Sequence, residues 1–97
     1  MALLDDLKKN REKILKVAAE CGLENIRVFG SVARRDERPD SDIDFLVSVT
    51  EGNNKGWDTF GFPIELEKIF GRKVDMVFES GLYHVIRERV LNEAVAL

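Results

Sequence analysis

Asp42 and Asp44 stand two apart in the run Ser41-Asp42-Ile43-Asp44-Phe45-Leu46-Val47. An extended segment alternates its side chains, so both carboxylates leave the same face. At roughly 4 Å and an effective dielectric near 20, such a pair repels by about 4 kcal/mol. A fold keeps the pair when a cation offsets that repulsion, and hard divalent ions that prefer oxygen suit it. Eleven positions before Asp42 stands Ser31, directly after Gly30 and the run Ile26-Arg27-Val28-Phe29. Glycine permits a positive-φ turn and close approach of a ligand to the backbone. Ser31 then opens a short helical segment, 31–35, where unpaired N–H groups and a hydroxyl can hold phosphate oxygens. Gly-Ser alone and Asp-x-Asp alone are weak signals. Together, each beside an apolar strand, they point to a metal–nucleotide site.

The elements that position these residues follow from periodicity. Residues 4–21 read as one amphipathic helix, with Leu7, Ile14, Val17, Ala18 and Cys21 on its apolar stripe and Gly22 as its stop. Strands are expected at 26–29, 42–49 and 73–79. Ile43, Phe45 and Val47 share one face of the second strand, and Asp42, Asp44, Leu46 and Ser48 share the other. A strand apolar on one face and partly apolar on the other is expected to be central and covered. Residues 51–56 read as an exposed loop, and 57–70 as helical after Pro63, stopping at Gly71. Trp57 reads as a hydrophobic anchor for that helix. Residues 82–97 read as a last helix, with Val85, Ile86, Val90, Ala94 and Leu97 toward the sheet and His84 on the surface. In the third strand, Asp75 puts a carboxylate in an otherwise apolar run, which is costly unless it is satisfied. Beside the second strand it could join Asp42 and Asp44; the alternative is a pairing with a lysine or arginine.

The expected fold is therefore α/β (α+β), with a short mixed three-stranded sheet flanked by helices in the order α-β-α-β-α-β-α. Ninety-seven residues make one domain, 1–97. The net charge of −3 gives no global basic field, which disfavours a long nucleic-acid substrate. The single cysteine, Cys21, allows no intrachain disulfide, reads as a buried core thiol and fits a cytoplasmic setting. No apolar run approaches the ~20 residues of a membrane span, and no signal peptide is expected.

Gly30-Ser31 followed by Ser41-Asp42-Ile43-Asp44 resembles the signature of the polymerase-β-like nucleotidyltransferase superfamily. The short length and Gly30-Ser31-Val32-Ala33-Arg34 are similar to its minimal members. Those are the MNT proteins that pair with HEPN-domain partners in prokaryotic toxin–antitoxin systems. The resemblance covers nearly the whole chain. It departs at one place: the minimal family has glycine after that arginine, and this chain has Arg35. The resemblance implies a third carboxylate on a following strand, which Asp75 matches. Asp42, Asp44 and Asp75 would then be catalytic and hold two Mg²⁺ ions, with Mn²⁺ able to substitute, and Asp75 would serve as general base. ATP would be the substrate, with Gly30, Ser31, Arg34 and Ser41 on the nucleotide. Arg34 has a plainer alternative, a surface ion pair with Asp36 or Glu37. A chain this short is expected to carry no second domain to hold an acceptor, so the acceptor is expected on another molecule. The resemblance makes it a tyrosine of a cognate HEPN toxin, in a hetero-complex or beside a homo-oligomer. The rival is an antitoxin that neutralises its partner by binding alone, and a third reading is transfer to a small hydroxylated molecule.

Overall fold

The structure, a computed structural model, describes residues 2–51 and 59–97. Among them the order is α1 (Leu3–Lys9), α2 (Arg11–Glu20), β1 (Leu23–Phe29), α3 (Gly30–Arg34), β2 (Ile43–Val49), α4 (Gly61–Phe70), β3 (Val74–Phe78), α5 (His84–Glu93) and β4 (Val95–Ala96). A single 3-10 turn, Glu79–Gly81, links β3 toward α5. Trp57 and most of the loop expected at 51–56 lie outside the described residues.

The sheet runs β3-β2-β1-β4. β1 and β2 form an antiparallel pair, β4 adds antiparallel to the outer edge of β1, and β3 lies parallel to β2. The parallel pair needs a crossover, which α4 supplies. β2 is an interior strand, as its two-sided apolar character requires: Ile43, Phe45, Leu46 and Val47 are all fully buried. Leu7, Ile14 and Ala18 of the first helices, Val28 and Val32, and Phe62 and Leu66 of α4 complete the core with them. Phe45 and Phe62 meet edge to face, 5.3 Å between ring centres at 84°.

Three expectations are corrected. The first helix is two helices, broken at Asn10 (φ −99°, ψ 17°). The Asn10 side-chain amide donates to the Asp6 carbonyl at 2.8 Å, the local competition with helical bonding that asparagine offers. The sheet has four strands rather than three. The last helix stops at Glu93, Ala94 turns extended (φ −63°, ψ 139°), and Val95 and Ala96 pair with Val28 and Arg27. The Leu97 amide adds a bond to the Ile26 carbonyl at 3.1 Å. The tail thereby covers the backbone edge that β1 would otherwise present. Finally, Val85 and Ile86 do not face the sheet: they are 73% and 41% exposed, and Val90 alone of α5 is buried.

Elsewhere the stops agree with the chemistry. Gly22 (φ 73°) follows α2, and Gly71 (φ 64°) caps α4. Cys21 is buried and His84 is exposed, its ring stacked on Tyr83 at 6.0 Å.

Candidate active site

β1 ends at Phe29 and the chain turns at once through Gly30, whose φ is 74°. The glycine is required here twice. Its φ lies in the left-handed region, and a Cβ on it would overlap the Asp44 carboxylate oxygen. Phe29 is the cross-strand partner of Asp44, which is how the turn and the acid come to face each other. On the other side of β2, Asp44 lies level with Asp75 in the parallel register. Asp42, just before β2, points to the same face as Asp44. Asp42 lies near enough to Asp75 to raise its carboxyl.

Burial, then the charges of Asp75, Asp42 and Glu93, push the Asp44 carboxyl up to about 6, against a weaker pull from Arg34. Burial, and then the neighbouring Asp42, raise Asp75 as well. Among the described residues, the cation paired with Asp42 is the exposed Lys73 ammonium, at 3.8 Å. So this face gathers negative charge that the chain's own side chains leave incompletely offset. As the side chains stand, no three acids among the described residues close into an ion-sized cluster. The donor set nevertheless fits a hard divalent cation: it is all oxygen, carried by two neighbouring strands, and its crowded negative charge is what such a cation offsets.

The remaining predicted residues divide. Ser31 follows Gly30 in α3, half-buried. Arg34 ends α3 and makes two ion pairs, to Asp36 at 3.3 Å and to Glu93 at 2.6 Å. The Asp36 pair is the plainer role foreseen for it; Glu93 was not foreseen. Ser41 is not turned to the acids by any bond it makes: its hydroxyl accepts the Arg38 N–H at 2.8 Å, and its carbonyl accepts Arg72 at 2.9 Å. It braces the 38–41 turn from which Asp42 emerges. Arg35 occupies a left-handed conformation (φ 62°, ψ 30°) at the end of α3, the backbone for which glycine is the easier residue.

Glu93 is the residue that periodicity missed. Its carboxylate accepts the Gly30 N–H at 2.9 Å and bonds the Arg34 guanidinium with its other oxygen. Burial works against its charge, but the bonds to Arg34 and to the Gly30 amide outweigh it and hold Glu93 below the usual glutamate range. In the sequence it is one more polar residue near the end of a helix. Only the turn into β4 brings it to the site. The site itself lies at the end of the sheet where β1 finishes and β2 and β3 begin. A surface cavity of about 410 Å³ lined by residues 8–13 shares no residue with it.

Comparison with known proteins bears on this arrangement. Residues 6–97 match the profile of the nucleotidyltransferase domain family. A candidate protein adenylyltransferase of Methanocaldococcus jannaschii, MJ0435, is 32% identical over 93% of this chain and 96% of its own length. The solved structure of a candidate minimal nucleotidyltransferase is 44% identical, covers 97% of this chain and 95% of its own, and superposes with a TM-score of 0.82. A toxin–antitoxin crystal structure with AMP-PNP shares the fold at 22% identity and a TM-score of 0.71, over 90% of this chain and 71% of that one. No helix among the described residues is long and apolar enough to cross a membrane.

Proposed function

We propose, from the premise that this chain belongs to the nucleotidyltransferase domain family, that it is a single minimal domain, 1–97, moving AMP from ATP to a hydroxyl of a partner protein. The partner is a HEPN-type toxin, the acceptor a tyrosine, and the consequence is that the toxin is silenced. The observation that carries this reading is the register: Asp44 level with Asp75 across β2 and β3, Asp42 two residues before Asp44, and Asp44 against the Gly30 turn. The protein adenylyltransferase name of the M. jannaschii relative and the AMP-PNP toxin–antitoxin complex of the same fold support donor and partner class.

Asp42, Asp44 and Asp75 would hold two Mg²⁺ ions, which when bound neutralise phosphate charge and acidify the acceptor hydroxyl. The chain's own groups do the rest. The Gly30 turn and the Ser31 hydroxyl hold the β- and γ-phosphates, and Arg34 takes up charge as pyrophosphate leaves. The tyrosine oxygen bonds to the α-phosphorus, the bond from that phosphorus to the β-phosphate bridging oxygen breaks, and Asp75 receives the tyrosine proton. Catalysis here is positioning plus charge compensation, which suits a small domain.

The experiment is transfer of label from α-³²P-ATP, with Mg²⁺, to a co-purified partner. Label on the partner's tyrosine with wild type, and none with Asp42→Ala/Asp44→Ala, is expected. An unlabelled partner that the double variant still inhibits fully would replace transfer with neutralisation by binding.

A further inference from the structure

Glu93 ties together two parts of the nucleotide grip that α3 alone does not fix. One carboxylate oxygen accepts the Gly30 amide at 2.9 Å, and the other takes the Arg34 guanidinium at 2.6 Å. Its side chain is 18% exposed and that of Arg34 50%, so Glu93 is the inner anchor and Arg34 the outer arm. The anchor is itself fixed. Two residues on, Val95 pairs with Val28, and the Leu97 amide bonds the Ile26 carbonyl, so the tail is stitched to the strand that ends in the Gly30 turn. Placing a further carboxylate here has a cost, because it adds to the charges that push Asp44 upward. A fold that bears this cost at a phosphate-facing edge gains a defined direction for a long, rotamer-rich arginine.

We propose that Glu93 is a positioning residue for nucleotide binding: it holds the Gly30 turn and aims the Arg34 guanidinium at the phosphates of ATP. This rests on the nucleotide reading above. An arginine has five N–H donors; Glu93 and Asp36 each engage one here, which leaves others to serve phosphate oxygens. The C-terminal segment thus acts on the substrate through Arg34, without touching it.

The test is a titration with Mg²⁺–AMP-PNP, read by calorimetry, on wild type, Glu93→Gln, Arg34→Ala and the double variant. Glutamine keeps an oxygen for the Gly30 amide and gives up the ionic bond to Arg34. Glu93→Gln is expected to weaken binding about tenfold, the scale of one lost charge-assisted bond. Arg34→Ala should weaken it similarly, and the double variant no further, because both act through one guanidinium. Nucleotide-free melting should fall by several degrees at most in Glu93→Gln, the scale of one partly exposed charge-assisted bond, and the protein should remain folded at the titration temperature. Should that variant fail to fold, Glu93→Asp, which keeps the charge but draws it back by one methylene, is expected to show the same loss. Unchanged or tighter binding in the Glu93 variants, or losses that multiply in the double variant, would overturn the proposal. Failure of wild type itself to bind AMP-PNP would overturn the nucleotide reading instead.

Discussion

Gly30→Ala is a sharp perturbation because two separable penalties meet at one atom. The first is backbone. At φ 74° an added Cβ costs about 1 kcal/mol, wherever Asp44 is. The second is contact. The new Cβ would overlap Asp44 Oδ2 and come within 3.3 Å of its Cγ, while the Asp44 Cβ at 3.5 Å is an ordinary neighbour. Forcing a side chain aside in a packed region costs about 1–3 kcal/mol. The sum, about 2–4 kcal/mol, lowers the melting temperature of a domain this size by roughly 10–20 °C. The two parts separate in a cycle. In an Asp44→Ala background the offending oxygen and Cγ are gone, and only the backbone part remains, so Gly30→Ala should cost about 1–3 kcal/mol less there. Urea denaturation in EDTA, followed by circular dichroism, measures all four corners. If Asp44 is one of the proposed metal-holding acids, transfer activity of Gly30→Ala below its melting point should fall about a hundredfold, because the carboxylate is displaced. Equal cost of Gly30→Ala in both backgrounds would mean that Asp44 does not lie against the turn.

Asp44→Asn should stabilise the metal-free protein. The folded carboxyl is raised to about 6 from 3.8, so its stabilising contribution is full below pH 3.8 and is lost as pH rises through about 6. A shift of that size is worth about 3 kcal/mol if shielded, and roughly half after allowance for solvent. In EDTA at pH 7 the variant should exceed wild type by that half, with the gap closing toward pH 4; a less stable variant at pH 7 would refute the charge crowding. On α5, Val85→Ser should leave the melting temperature nearly unchanged, within about 0.5 kcal/mol, because Val85 is 73% exposed. Val90→Ser should cost about 2 kcal/mol or more, because Val90 is 4% exposed. The same melts check both, and a large loss from Val85→Ser would restore the inward-facing helix that periodicity suggested.

How much was legible in the sequence depends on which physical signal each part carries. Two-residue alternation in β2 placed Asp42 and Asp44 on one face and marked the strand as interior. An acid in an apolar strand drew attention to Asp75, and the parallel register sets it level with Asp44. Gly22, Gly30 and Gly71 each sit at the positive-φ position that a stop or turn needs. What was illegible lacks a periodic signature. β4 is two residues long, and its alanine and valine extend a helical pattern as readily as they pair with β1. With that strand unseen, Glu93 could not be brought to the Gly30 amide. Asn10 breaks the first helix by a local side-chain bond that an apolar stripe does not register. Ser41 stands beside Asp42 in the motif, and that its hydroxyl accepts the Arg38 amide in the turn is a bond that spacing alone does not reveal.

The most direct measurement counts free Mn²⁺ by electron paramagnetic resonance as it is titrated into the protein with AMP-PNP. If Asp42, Asp44 and Asp75 share cations, wild type takes up Mn²⁺, and Asp42→Asn, Asp44→Asn and Asp75→Asn each weaken uptake by about tenfold or more. Wild-type uptake in the Asp75→Asn variant would contradict the convergence of the two strands' acids on one metal site.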